Sequence, residues 1–392
     1  MINKSIAWTV VFVVFLLSAV ISYSFFGNGS LTSGAGFLAP LTKYVAPNSS
    51  ISQATPTISN EPKTEECPLN GEMLTKTQKA KWVLRRPMGV AIENHKEARP
   101  QSGLSSADVI YEAVAEGGIT RFLAVFYCKD ASTIGPVRSA RIYFIKLLEQ
   151  YGDSPLYVHV GGANTPGPAD ALGYINTLDW NSYNDMNQFS VPFPYFWRDY
   201  ERLPNVATEH TVYSSTIKLW QYAKDIRKLT NVDSKGVAWN KNFKAWSFKD
   251  DASPSDRGKI AKIDFGFWTN LASDFSVTWT YSNANNSYSR NNGGVPHIDK
   301  DTGKQLAAKN IIIMFSKETP ANDGYEGGHI IYKTTGSGDA MIFQNGQVIK
   351  GSWERTLETE PIIFTDENGK AISMVRGQVF VEVLPIGNKV NY

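Results

Sequence analysis

The sequence predicts an α/β domain with a mixed or parallel sheet, then a β-rich (α+β) domain, both behind a single N-terminal transmembrane helix. Three observations support this prediction: an uncharged apolar run, a region where short apolar segments alternate with helical patterns, and a region of strand patterns separated by turn signals. We place the boundaries at 1–26 for a transmembrane anchor, 27–81 for a flexible extracytoplasmic stalk, 82–230 for the α/β domain and 237–392 for the β-rich domain.

Composition excludes several classes of protein. The 392 residues include 39 Lys and Arg against 37 Asp and Glu, so the net charge of +2 gives no basic field that would hold nucleic acid. The 10 Trp, 18 Tyr and 20 Phe can fill large cores, which excludes a mainly disordered chain. Two cysteines, Cys67 and Cys128, cannot form a disulfide scaffold or a four-thiolate zinc site. The sequence leaves open whether these two pair or remain free thiols.

The first predicted element is the apolar run at 7–26, which is long enough for the ~20 residues that a helix needs to cross a bilayer. Lys4 precedes this run and no basic residue follows it until Lys43, so the charge bias places the N-terminus in the cytoplasm. We therefore expect a single-pass protein of the cell membrane, bound to the membrane through 7–26, with its C-terminal domains on the extracytoplasmic side. A cleaved secretory signal is the alternative, and it also exports the body.

The α/β region contains short, continuous apolar runs, which are typical of strands buried on both faces of a sheet. It also contains segments in which apolar residues have helical spacing. Ser139 begins one such helical pattern, and Gly152 follows it as a stop signal. The predicted strands are 88–92, 109–114, 122–127 and 156–160, and the predicted helices are 139–151 and 216–226.

The β-rich region shows strand after strand with turn signals between them. The pairs Asn345-Gly346 and Asn368-Gly369 favour tight hairpins. The predicted strands are 275–281, 310–315, 328–334, 340–343, 361–364 and 378–383.

The stretch EGGITRF followed by GPVRSAR is the most informative for function. Gly117 and Gly118 permit a close approach of the backbone, and Ser139 is the predicted N-cap of the following helix, between two arginines. A helix start with guanidinium groups beside it suits a phosphate, pyrophosphate or carboxylate. The alternative is that the arginines pair with acidic neighbours such as Glu112 or Glu116.

Polar residues also follow the predicted strands where an open α/β sheet binds its ligands. His159 lies within YVHVGG and Arg198 within FWRDYERLP, and they would line the same cleft; a hydrogen-bonded core histidine and an aromatic cap are the alternatives. The candidate ligand-binding set is Glu116, Gly117, Gly118, Arg121, Arg138, Ser139, Arg141, His159 and Arg198.

Catalytic and metal-binding residues are not assigned. The chain has no HExxH pair, GxSxG elbow or phosphate-binding P-loop, so a cofactor stays open, with a divalent cation as the candidate. Scattered residues that offer metal ligands are Glu93, His95, Glu116, His159, Glu209 and His210.

Several strings, in this order, resemble the YerB-like family of bacterial envelope proteins: RPMGVAIEN, ARPQSGLSSADVIYEAVAEGGITRFLAVF, IGPVRSAR and YVHVGG, then WTYSNANNSYSRNNGG and GSGDAMIFQNGQVIKGSWER. The resemblance covers roughly 86–385 and implies two domains of unknown function in tandem and an envelope location. Unlike lipoprotein members, this sequence has an apolar anchor without a lipidation cysteine. The order of motifs is also similar, more weakly, to the LytR-CpsA-Psr ligases, in which arginines grip a pyrophosphate.

Three functions remain open. The first is a membrane-anchored binding or assembly factor for an anionic or glycan cell-wall ligand, or for a phosphorylated lipid carrier. The second is a metal-assisted phosphoryl or glycopolymer transferase or hydrolase that acts on a pyrophosphate-linked cell-wall precursor, with Glu116 or Glu112 as metal ligand or base. The third is a structural docking module for another envelope protein.

Overall fold

The computed structural model describes residues 61–269 and 271–392. The predicted transmembrane segment at 7–26 and the stalk up to residue 60 lie outside these ranges. Within the described ranges, the helices are all too short or too polar to span a bilayer.

The first half of the described chain contains nine strands and four helices. The strands are Lys63–Glu66 (β1), Met73–Thr75 (β2), Met88–Glu93 (β3), Val109–Glu116 (β4), Ile119–Phe126 (β5), Leu156–His159 (β6), Asp185–Asn187 (β7), Phe196–Arg198 (β8) and Val212–Ser214 (β9). The helices are Lys76–Trp82 (α1), Ile142–Leu148 (α2), Ala171–Thr177 (α3) and Thr216–Asp225 (α4).

The second half is built almost entirely from strands, as the turn signals predict. Its one α-helix within the described residues is the short Ala272–Phe275 (α5). The strands are Phe248–Lys249 (β10), Lys262–Phe265 (β11), Val277–Ser282 (β12), Ser287–Asn292 (β13), Val295–Pro296 (β14), Ala307–Ala308 (β15), Asn310–Ser316 (β16), Glu318–Pro320 (β17), Ile330–Tyr332 (β18), Gly336–Gln344 (β19), Gln347–Arg355 (β20), Ile363–Asp366 (β21), Met374–Val375 (β22), Val379–Pro385 (β23) and Val390–Asn391 (β24).

A ten-stranded mixed sheet runs through both halves, in the order β21-β20-β19-β16-β23-β4-β5-β3-β6-β7. The halves join where β23 pairs in parallel with β4, from Val379 opposite Val109 to Glu382 opposite Glu112. The central strands are buried along nearly their whole length, which explains their continuous apolar sequences. The predicted mixed sheet is confirmed, and the two halves share it.

A second sheet has six strands, in the order β14-β13-β12-β11-β24 with β15 added to β13. Its strand β13 alternates half-buried and buried residues, so one face is turned inward. On the inner side, Trp279 of β12 packs edge to face on Phe380 of β23, with ring centroids 5.0 Å apart. One part of the core therefore lies between the second sheet and the junction of the two halves, within a single hydrophobic cluster that also covers the strands and helices of the first half.

Residues 61–81, the end of the predicted stalk, form β1, β2 and α1. Thr75 caps α1 in a reciprocal capping box with Gln78, and Leu74 and Trp82 are buried. Cys67 forms a disulfide with Cys128, with Cα atoms 5.9 Å apart. The disulfide attaches this segment to the chain just beyond β5.

The predicted helix at 139–151 begins later than its apolar spacing indicates. The predicted N-cap at Ser139 is wrong: α2 starts at Ile142, and its N-cap residue is Arg141, whose side chain makes no capping bond. The cause is tertiary pairing, because Arg138 N–H donates to Ala91 C=O and Ala140 N–H donates to Gly161 C=O. These bonds hold 138–140 in extended backbone at the carboxyl ends of β3 and β6, beyond the residues through which the two strands pair.

Candidate functional site

The predicted arginine set lies at one edge of the large sheet, beyond the carboxyl ends of β3, β4 and β6. Strand β5 runs antiparallel to β3 and β4, which places Arg121 directly opposite Glu93. We use the name edge cluster for five residues at this position: Glu93, Glu116, Arg121, Arg138 and Arg141. The sheet topology therefore brings together the four charged members of the EGGITRF and GPVRSAR strings.

Gly117 and Gly118 form the two-residue turn between β4 and β5. Both have positive φ, +58° and +85°, as a two-residue type I′ turn of a β-hairpin requires. The turn returns the chain so that Ile119 pairs with Glu116, next to a local irregularity in the ladder. The two glycines thus set the position of Glu116 at the end of its strand.

Glu116 binds two arginines at once. One carboxylate oxygen accepts from Arg121 Nη2 and the other accepts from Arg141 Nη2. Arg121 also donates to the Ser139 carbonyl at 3.2 Å, and Arg141 donates to the Ala140 carbonyl at 2.8 Å. Burial raises the pKa of Glu116, but Arg121 and Arg141 outweigh burial, so its pKa is lowered. Burial, reinforced by Arg141, lowers the pKa of Arg121 to about 10.

Arg138 occupies a different environment from the other two arginines. Its side chain is 26% exposed, against 3% for Arg121 and 6% for Arg141. Its Nε donates to Glu93 at 3.2 Å, a bond that does not use the two terminal nitrogens. Glu93 is itself buried, and its other oxygen lies 2.8 Å from His210 Nδ1. Arg138 is therefore the arginine of the edge cluster that faces solvent.

Two histidines and a carboxylate adjoin Glu93. The rings of His95 and His210 are parallel, with centroids 5.0 Å apart, and His210 Nε2 lies 3.6 Å from Glu97. The hydrogen bond to Glu93 raises the pKa of His210, against the opposing effect of burial. Burial, followed by the nearby His210, lowers the pKa of His95. Sequence reasoning named Glu93, His95 and His210 as scattered ligands, but the pairing of Glu93 with His210 spans 117 residues and had no local signal.

The remaining predicted residues lie deeper. His159 is fully buried, and its ring nitrogens lie 2.6 Å from the Gly161 carbonyl and 2.5 Å from Asp185 Oδ1. Arg198 is nearly buried and donates to the Thr208 carbonyl at 2.5 Å. In the structure both side chains therefore bond to other groups of the protein, His159 to Gly161 and Asp185 and Arg198 to Thr208.

A second charged group lies deeper in the large sheet, around Glu112 of β4; sequence reasoning named Glu112 but missed its partners Arg290 and Glu382. We use the name buried cluster for Glu112, Arg290 and Glu382, whose side chains are all fully buried. Arg290 pairs with Glu112 and lies 3.7 Å from Glu382, and Glu112 also accepts from Thr120 at 2.6 Å. Arg290 lies at an inward-facing position of a polar strand, SYSRNN. The alternation along this strand is the one feature of the sequence that could have indicated that Arg290 is buried.

The buried cluster extends into a neutral hydrogen-bond network. Arg290 Nη1 donates to His297 Nδ1 at 2.7 Å, which leaves the proton on His297 Nε2, 2.8 Å from Gln101 Oε1. Burial and then Arg290 lower the pKa of His297 well below its usual range. Burial and the neighbouring Glu112 raise the pKa of Glu382 well above its usual range. The network connects the second sheet to the large sheet.

The fold and site define a β-rich protein of two halves that share one mixed sheet, with a charged cluster at the edge of that sheet. Residues 73–229 match the family model described as "Protein of unknown function (DUF3048) N-terminal domain", and residues 267–381 match the C-terminal domain of the same family. The chain belongs to this YerB-like family, as its motifs predict.

A relative and a solved structure agree with this assignment. The "Putative lipoprotein YerB" of Bacillus subtilis (strain 168) is 32% identical over 324 residues, which cover 82% of this chain and 86% of the relative. The crystal structure of the YerB protein from Bacillus subtilis superposes with a TM-score of 0.67 at 26% identity. The superposed residues cover 84% of this chain and 100% of the YerB chain.

Proposed function

We propose that this chain is a bacterial envelope protein that binds an anionic cell-wall ligand at the edge cluster. The ligand class is a phosphate-bearing or pyrophosphate-bearing wall glycan or lipid carrier. An envelope location is supported by the name of the Bacillus subtilis relative, a lipoprotein. The apolar run at 7–26 would hold the chain in the membrane, with the described residues on the extracytoplasmic side.

One observation carries the proposal: Arg138 combines partial exposure with terminal nitrogens that its bond to Glu93 does not use. A guanidinium presents two parallel N–H donors to phosphate, which suits bidentate binding. Among the five residues of the edge cluster, three arginines face two carboxylates, which leaves one positive charge in excess. Arg121 and Arg141, which are buried and paired with Glu116, contribute to the positive charge near Arg138.

The test is a calorimetric titration of the full-length protein with pyrophosphate, a polyprenyl phosphate analogue and a soluble wall glycan, in separate experiments. Replacing Arg138 with Ala removes a charge-assisted contact of about 1.5–3 kcal/mol, so we expect affinity for the phosphate-bearing probes to fall about 10- to 100-fold. The three probes distinguish a lipid carrier from a glycan source of the anion.

Arg376 supplies the matched control. Its side chain is 24% exposed and donates to Glu66 and Asp250, far along the chain from the edge cluster. Arg376→Ala is expected to leave the affinity unchanged, and Arg138→Lys should give an intermediate value because charge is kept and bidentate geometry is lost. Equal binding by the wild type and Arg138→Ala, or no binding of any probe, would contradict the proposal.

A further inference from the structure

Beside the edge cluster lies a group of potential metal ligands. One ring nitrogen each of His95 and His210 and a carboxylate oxygen of Glu97 all lie within 4.8 Å of one another. Glu97 is half exposed, His95 is partly buried and His210 is buried, so the group opens to solvent on one side. An ion would reach it without crossing the core.

The buried side of the group is oriented by a carboxylate. His210 Nδ1 bonds to Glu93 Oε2 at 2.8 Å, so its Nε2 is the nitrogen directed toward Glu97, 3.6 Å away. Glu93 is 3–4% exposed and is held in turn by Arg138. A carboxylate on the far nitrogen of a ligating histidine fixes both its tautomer and its direction, and such partners are typical of protein metal sites.

We propose that His95, Glu97 and His210 bind one Zn²⁺, with Glu93 as a positioning residue for His210. Two imidazoles and one carboxylate suit zinc better than magnesium or calcium, which prefer oxygen ligands. Three protein ligands leave a fourth tetrahedral position for water or for an oxygen of a bound anion. The proposal stands independently of anion binding by Arg138, because its ligands and its measurement are different.

Zinc binding requires a local adjustment. With ligand bonds of about 2.0–2.2 Å, tetrahedral ligand atoms lie roughly 3.4 Å apart, so the three atoms, now within 4.8 Å of one another, must approach by at most about 1.4 Å. The rings of His95 and His210 differ by 3° in orientation, and one ring must turn because imidazole lone pairs lie in the ring plane. His95 is the ring with room to turn, since it is partly exposed and its ring accepts a long bond of 3.3 Å from Glu97 N–H.

The experiment measures Zn²⁺ affinity of the untagged full-length protein by competition with a chromophoric chelator. The wild type is expected to bind one Zn²⁺ per chain. His95→Ala and His210→Ala should each weaken binding by more than tenfold, and Glu93→Gln should weaken it about 10- to 100-fold while binding persists. Zn²⁺ should also raise the unfolding temperature of the wild type but not of His95→Ala.

His329 provides the matched control. Its Nδ1 bonds to Asp323 at 2.7 Å and its side chain is 5% exposed, close to the values for His210. Within the described part of the chain, it belongs to no group of three such ligands. His329→Ala is expected to bind Zn²⁺ like the wild type. No stoichiometric binding by the wild type, unchanged binding by His95→Ala, or an equal loss with His329→Ala would each overturn the proposal. His95 is partly exposed, so its variant tests the site even if His210→Ala fails to fold.

Discussion

The edge cluster and the buried cluster each contain a glutamate of strand β4 that pairs with arginine, one next to solvent and the other fully buried. Glu116 and Glu112 both belong to β4, and each pairs with arginine. Glu116 lies at the sheet edge, 18% exposed, and binds two arginines. Glu112 is fully buried, and its single arginine partner, Arg290, comes from the second sheet.

The two clusters balance charge differently. In the buried cluster two carboxyl groups face one arginine, and burial and Glu112 raise the pKa of Glu382, which favours its neutral, protonated form. In the edge cluster three arginines face two carboxylates, and the excess positive charge is kept next to solvent. The comparison indicates that burial favours a neutral carboxyl in the cluster that joins the two sheets, whereas the cluster next to solvent keeps all of its charged groups.

The largest expected effect follows from removing the arginine of the buried cluster. Arg290→Met leaves Glu112 buried without its cation, and breaking such a pair costs about 3–5 kcal/mol of the free energy of unfolding. Denaturant titration of the full-length protein measures the loss. Arg376→Met, which breaks two exposed ion pairs, to Glu66 and Asp250, should cost at most about 2 kcal/mol. A loss for Arg290→Met as small as that of the control would mean that the buried cluster does not hold the sheets together.

A smaller loss is expected at the edge. Glu116→Gln leaves Arg121 and Arg141 side by side without their shared carboxylate, and partial exposure limits the loss to about 1–3 kcal/mol at pH 7. Because the pKa of Glu116 is lowered in the folded state, the wild type's advantage is full above the ordinary value of 4.5. The advantage disappears as the pH falls through the folded-state pKa. Denaturant titrations from pH 7 to pH 3 check this, and a gap that widens toward acid would contradict it.

The same contrast explains how much the sequence could predict. The strands β3, β4 and β5 follow from local patterns, because apolar runs mark them, and the adjacent glycines between β4 and β5 bring Glu116 close to Arg121. Arg141 joins them through the tertiary pairing of 138–140, which no local pattern predicts. The buried cluster depends on the pairing of β23 with β4 and on a partner 178 residues away from Glu112. Such long-range pairing leaves no periodic signal in either segment. The same cause displaced the predicted helix start at Ser139.

The smallest loss is expected for Glu382→Gln. Because burial and Glu112 raise the pKa of Glu382, its carboxyl is neutral in both the folded and the unfolded state below pH 4.5, so a neutral amide of similar size should change stability there by no more than about 1 kcal/mol. As the pH rises above 4.5, the unfolded wild type ionises while the folded wild type keeps its proton. The wild type therefore loses stability relative to the variant, by at most about 1.4 kcal/mol per pH unit, until the folded carboxyl also ionises. This pH dependence has the opposite sign to that of Glu116→Gln, and paired denaturant titrations of the two variants would show it directly. If Glu382→Gln instead destabilised the protein at pH 7 as strongly as Arg290→Met, Glu382 would be ionised in the folded state, and the contrast between the neutral buried cluster and the charged edge cluster would be lost.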